Sequence, residues 1–294
     1  GRFDFYDLAV GQVDADPALE IIVTAEWAYN TYLLTFDGIT HALEWESPSI
    51  GAYAPRALVV ANLDGDALDE IVIGLDNNHV QVFNGASLVI QWEGSAWGGV
   101  VQDVAVGDLY GDGTQDLVVL TDSVLQVYDP AVVQPLVDRP VAGGLSVAVA
   151  NRDLSGAGEV LVATYASGVG AVESWEGPTF SAVQRRVVAD LQLLELAPVD
   201  LDSDGVQEFV GLGFQPVPSY PITTGFVGVG NFEHRTFWEY QRVGDSDVLR
   251  TFAQGDIDGD GQAEVVLGGD YAFEVNALGT QTAQISYVTL PSLR

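Results

Sequence analysis

The sequence predicts an all-β fold, a β-propeller of six four-stranded blades, and three features carry that expectation. A nine-residue acidic stretch occurs six times: QVDADPALE (12–20), NLDGDALDE (62–70), DLYGDGTQD (108–116), NRDLSGAGE (151–159), DLDSDGVQE (200–208) and DIDGDGQAE (256–264). Their last acids return about every 49 residues, the signature of a repeated supersecondary unit. Each stretch lies between two short apolar runs of period-two patterning, and no segment shows helical periodicity with caps.

The elements of one unit follow in order. Before the acids runs LAVG (8–11), LVVA (58–61), VAVG (104–107), VAVA (147–150), LAPV (196–199) or FAQG (252–255). One column of it is Ala9, Val59, Ala105, Ala148, Ala197 and Ala253, so this strand is expected where blades converge and room is short. After the acids come IIVTA, IVIGL, LVVLT, VLVAT, FVGLG and VVLGG, β-branched runs expected to be buried on both faces. A third strand and turn follow in LLTFDG (33–38), VQVFNG (80–85), LQVYDP (125–130) and AVESWEG (171–177). The fourth strand carries a large aromatic, as with Trp45, Trp92 and Trp238. Four antiparallel strands per period make a blade. The repeats run over 5–50, 54–98, 101–140, 144–186, 190–245 and 248–294, one propeller domain across 1–294. Six blades closing the ring is the favoured arrangement, with completion by further repeats and an open array as alternatives.

The acidic stretches point to chemistry. Oxygen side chains at positions 1, 3 and 5, a backbone carbonyl at 7 and a carboxylate at 9 form the hard-ligand cage that Ca²⁺ takes. Glycine at position 6 permits the left-handed bend that wraps backbone around an ion. Asp256, Asp258, Asp260, Gln262 and Glu264 fit every position, as do Asp200, Asp202, Asp204, Val206 and Glu208. Asn62, Asp64, Asp66, Leu68 and Glu70 supply the oxygens but place Ala67 at position 6. Asp108, Asp112, Thr114 and Asp116 keep Gly113, while Tyr110 removes the third-position ligand. Asp14, Asp16, Ala18 and Glu20 are accompanied by Gln12 and by Pro17, whose fixed φ opposes the bend. Asn151, Asp153 and Glu159 offer two carboxylates. Three to six Ca²⁺ ions are expected; acidic turns without metal are the alternative at the weaker loops.

On these loops and their flanking strands the whole chain resembles the FG-GAP/VCBS propeller family, which includes the integrin α-subunit head and bacterial secreted repeat proteins. The resemblance implies Ca²⁺ in the hairpins between first and second strands. It implies no particular ligand, since the family hosts adhesion domains, lectin-like modules and enzyme accessories. Integrin-type rings have seven blades, whereas six units are visible here.

Composition narrows the function further. The net charge is −32, from 42 acids against ten arginines and no lysine, and 20 of the acids fall within the six stretches. Such clustering favours local cation binding over a uniformly solvating surface and speaks against nucleic acid as partner. No apolar run reaches the length of a membrane span. Absence of cysteine excludes thiol catalysis and zinc–thiolate sites, and the three histidines share no ligand spacing. Absence of methionine suggests a segment of a larger secreted or surface protein, and extracellular or cell-surface placement, with the periplasm as a variant, suits calcium.

No nucleophile or acid–base motif is present, so the expected role is non-catalytic. A polysaccharide lyase or hydrolase, or its accessory domain, and a structural spacer are the alternatives. Strand order puts the acidic loops and the third-to-fourth-strand turns on one side, and the remaining connections on the other. Trp27, Tyr29, Tyr32, Tyr53 and Trp97 fall in this second set and are the candidate surface for a carbohydrate or protein partner.

Overall fold

The computed structural model describes residues 3–95, 98–129, 135–153, 155–177, 180–188, 191–200, 205–214, 225–230, 237–241, 249–255, 264–269, 272–277 and 284–289. They form 24 strands in six four-stranded antiparallel sheets, each a meander of four consecutive strands. The first sheet is β1 (Asp4–Gly11), β2 (Glu20–Trp27), β3 (Asn30–Asp37) and β4 (Leu43–Glu46). The second is β5 (Pro55–Ala61), β6 (Glu70–Leu75), β7 (His79–Phe83) and β8 (Ile90–Ser95). The third is β9 (Val101–Gly107), β10 (Asp116–Thr121), β11 (Val124–Tyr128) and β12 (Pro135–Pro140), and the fourth β13 (Gly144–Ala150), β14 (Glu159–Ala166), β15 (Val169–Glu176) and β16 (Ser181–Val187). The fifth comprises β17 (Gln192–Val199), β18 (Glu208–Phe214), β19 (Gly225–Gly230) and β20 (Phe237–Gln241). The sixth comprises β21 (Leu249–Gly255), β22 (Glu264–Gly269), β23 (Ala272–Ala277) and β24 (Gln284–Thr289).

The chain divides into two compact units, Gly1–Val147 with Pro178–Phe180, and Ala148–Gly177 with Ser181–Arg294, the division falling within β13. In the first unit, sheets pack face to face. Val13, Ile22 and Leu33 of the first sheet and its loop meet Ile71, Ile73, Leu75 and Phe83 of the second. Val72, Val80 and Val82 of the second meet Val101, Val104, Leu117 and Val119 of the third. The second unit has its own cluster, in which Leu161, Ala163 and Val172 pack with Leu193, Leu196 and Phe209. Stacked meanders of this kind are propeller blades.

The second strands of the first four sheets are mostly buried, completely so in β6 and β10, as β-branched runs enclosed on two faces require. First strands approach one another closely: a Cβ on Gly11 would stand 2.2 Å from Val60 Cγ1. At Ala105 and Ala148 the small column is buried as well. Strand β1 departs from that expectation, with Leu8 59% and Val10 51% exposed. Among the described residues of its unit, the first strand packed closely on β1 is β5, whereas β5 packs on both β1 and β9.

Candidate metal loops and aromatic tip

Each acidic stretch joins the first strand of a sheet to the second, and its last acid opens the second strand. Glu20 pairs with Gly11, Glu70 with Ala61, Asp116 with Gly107, Glu208 with Val199 and Glu264 with Gly255, one register in five sheets. In the first four loops the last acid is buried and anchors its loop. Its carboxylate accepts the amide N–H of the second loop residue, Val13, Leu63, Leu109 and Arg152 in turn, at 2.8–2.9 Å. Burial, the largest influence, raises the carboxyls of Glu20, Glu70 and Glu159 and lifts Asp116 to about 6.

Acids at positions 3 and 5 each use one oxygen to cap the amide two residues on. Asp14 takes Asp16 N, Asp16 takes Ala18 N, Asp64 takes Asp66 N and Asp66 takes Leu68 N. These Asx turns draw the carboxylates inward. One oxygen from each of Asp64, Asp66 and Glu70 lies within 4.8 Å of the others. Glu70 is 1% exposed, and its Oε1 is buried without a hydrogen-bond partner; Glu20, also 1% exposed, leaves its Oε1 in the same condition. An acceptor taken from water without compensation is costly, and a hard cation among three carboxylates would supply the missing partner. The first two loops therefore fit Ca²⁺.

The other loops vary. In the third, Asp108 accepts from the amides of Gly111, Asp112 and Gly113, and Asp112 from the amide and hydroxyl of Thr114. In the fourth, Asp153 accepts Ser155 N and its carboxyl is lowered, first by its hydrogen bond to Ser155. Asn151 exchanges hydrogen bonds with Gln207 of the fifth stretch. In the fifth, Asp200 accepts Gly205 N and Glu208 is buried, while Asp202 and Asp204 lie outside the described residues. Asp256, Asp258, Asp260 and Gln262 also lie outside them.

The expected left-handed bend falls at position 6 in Gly113, Gly156 and Gly205. Where Ala67 occupies that position the second loop has no left-handed residue there and keeps the one at Gly65, φ +79°, which corresponds to Gly111, φ +70°, in the third loop. The missing glycine thus removes one bend and leaves the carboxylate cluster intact.

The third-to-fourth-strand turns pack beside these loops. A Cβ on Gly38 would stand 2.2 Å from the Leu19 carbonyl, and one on Gly85 2.2 Å from that of Asp69. This proximity adds acids that the nine-residue pattern does not contain. Glu44 shares one group with Asp14 and Glu20, and a second with Asp16 and Asp37, all ligand atoms in each group within 4.8 Å. The signal in sequence was the TFDGITHALE turn itself, two acids beside a loop deficient at position 1.

On the aromatic side, Trp27 and Tyr29 are 43% and 84% exposed at the β2–β3 hairpin, whose two-residue tip is Ala28–Tyr29. Both tip residues have positive φ, 52° and 64°, where asparagine and glycine are usual. The link between first and second sheets crosses β3 here: Thr31 N–H donates to Gly51 O, and the Thr31 hydroxyl to Tyr53 O. Tyr53, 44% exposed, is therefore brought beside the hairpin. Tyr32 is half-buried, its ring edge-on to Phe3 with centroids 5.6 Å apart. Trp97 lies outside the described residues.

A cavity of about 710 Å³ lies between the second and third sheets, lined by Trp92, Tyr128, Gln91, Asp64 and Glu70 among others.

No family model and no curated protein matches the chain. Among solved structures, hydrazine synthase of Kuenenia stuttgartiensis is similar with a TM-score of 0.64 at 12% identity, over 87% of this chain and 73% of that one. A chain of the mitotic checkpoint complex is similar with a TM-score of 0.66 at 9% identity, over 96% and 77%. At such identities the likeness shows the fold alone, a β-propeller.

Proposed function

We propose that this propeller is a calcium-binding, non-catalytic recognition module of the FG-GAP/VCBS type, working outside the cell on a carbohydrate or protein partner. The observation that carries the metal is the orphaned, buried Oε1 of Glu70 beside Asp64 and Asp66. Asn62, Asp64, Asp66 and Glu70 hold one ion, and the corresponding residues of the other loops hold theirs. The ion supplies positive charge that offsets carboxylate repulsion and fixes the loop; Glu70 also retains the Leu63 amide. Calcium at extracellular concentration saturates exposed loops of modest affinity, which is the support for that location.

Recognition is assigned to Trp27, Tyr29 and Tyr53. Exposed aromatics on a hairpin held in an unfavourable turn favour a surface retained for contact over one optimised for stability. A second reading places the ligand in the cavity beside the second loop, where Trp92 and Tyr128 offer stacking and Gln91 hydrogen bonds. A glycan array, with surface-plasmon titration of each hit, tests both. Loss of affinity in Trp27→Ala and Tyr29→Ala supports the hairpin, and loss in Gln91→Ala supports the cavity. Hits that survive all three substitutions would overturn both placements.

A further inference from the structure

We propose that the first cation site is completed from outside its loop, by Glu44, so that the β3–β4 hairpin of this sheet is part of the metal centre. The proposal rests on reading the acidic loops as calcium sites.

Strand pairing explains how Glu44 reaches the loop. Thr35 pairs with Trp45 and Phe36 with Leu43, so Glu44 is the extra residue of a β-bulge. A bulge re-aims the side chain it leaves unpaired. The same bulge occurs in the next three sheets, where the extra residues are Gln91, Leu136 and Val183. Of these four positions, only that of the first sheet carries an acid.

That sheet is also the one whose loop lacks an oxygen acid or asparagine at position 1. Gln12 stands there, and its Nε2 donates to the carbonyls of Asp14 and Asp16 at 2.7 and 2.8 Å. The amide nitrogen thus straps the loop, as that of Asn62 does through the Asp66 carbonyl, and the loop itself carries three carboxylates, Asp14, Asp16 and Glu20. Glu44 restores the deficit: with Asp14, Asp16 and Glu20 it brings the carboxylates to four, the number that the fifth and sixth stretches hold within nine residues.

An independent observation points to a ligand. Glu20 is 1% exposed, Oε2 accepts Val13 N, and Oε1 is buried with no partner, in the residue that shares its oxygen group with Asp14 and Glu44. Asp37, on the same turn, is occupied by the amides of Ile39 and Thr40, and joins Asp16 and Glu44 in the adjoining group. Glu44 therefore stands where the two groups meet. The ligand class is a hard divalent cation, taken from solution as Ca²⁺.

The test counts ions on the whole chain by equilibrium dialysis and native mass spectrometry with calcium alone. Wild type, Glu44→Gln, Asp64→Asn and the double variant are compared, and each is melted in its calcium-free form. Glu44 is exposed and stands among like charges, so Glu44→Gln should melt no lower than wild type without calcium. It should weaken one ion at least tenfold and leave the others unchanged. Asp64→Asn should remove a different ion, and the double variant both. If Glu44→Gln binds as wild type while Asp64→Asn loses an ion, Glu44 is no ligand and the loop reading survives. If both variants lose the same ion, the composite site is wrong. If wild type binds no calcium, the proposal and the reading beneath it fall together.

Discussion

The last acid of the first two stretches does two jobs at once. Glu70 closes its loop through the Leu63 amide and presents a second oxygen that is buried and unmatched. Glu70→Gln keeps an acceptor for Leu63 while removing the charge. We expect its calcium-free melt to be no lower than wild type, since a buried charge is removed, and most of the calcium-dependent stabilisation from that site, about 2.7 kcal/mol at 100-fold excess over Kd, to disappear. Differential scanning calorimetry with and without calcium measures both. Asp103, away from the loops, makes a different kind of link. Its carboxylate accepts the amides of Val104 and Val147 and the hydroxyl of Ser146, and burial, first among the causes, lifts it to about 6. A folded-state value above the unfolded one means the folded chain holds more protons in between. Its contribution to stability is therefore full below about pH 4 and is lost as pH rises through about 6. Denaturant titrations in EDTA should show wild type losing stability relative to Asp103→Asn across that window. An unchanging difference would contradict this assignment.

Among the elements, the β2–β3 hairpin carries a conflict between stability and surface. Ala28 and Tyr29 both adopt left-handed φ, a conformation costing about 1 kcal/mol or more per non-glycine residue. Replacing them together by Asn-Gly should raise stability by about 1–2 kcal/mol in chemical denaturation and leave calcium binding untouched. The same replacement should weaken any ligand held by Tyr29; a stabilised variant with unimpaired binding would remove that residue from the recognition surface. Much of the element pattern was legible in sequence. Period-two runs gave the strands, the small-residue column gave the burial at Ala105 and Ala148, and the doubly buried β6 and β10 follow from unbroken β-branched runs. Three things were not legible, and each depends on tertiary geometry. The second loop clusters its carboxylates with a left-handed residue at Gly65 and none at Ala67, because curvature at position 4 is enough to bring them together. The bulge at Glu44 depends on strand pairing, which local periodicity does not record. Tyr32 looks equivalent to Tyr29 in a string of aromatics, but pairing with Ala25 within the sheet and contact with Phe3 half-bury it.

For the molecule as a whole, a formal charge of −32 is a source of self-repulsion that opposes the compact state. Nearly half the acids lie in six short loops, so that repulsion is greatest where carboxylates meet, and the proposed cations would offset it there. The likeness to other propellers at 12% and 9% identity fits a fold in which blades can be restyled freely. In this chain the proposed metal chemistry lies in the acids between first and second strands. Thermal unfolding of the intact protein at neutral pH and low salt, with excess calcium and then with EDTA, tests that claim most directly. The account predicts a melting temperature lower by at least ~5 °C in EDTA, restored by calcium, since two saturated sites alone amount to about 5 kcal/mol. A melting temperature indifferent to EDTA would contradict it.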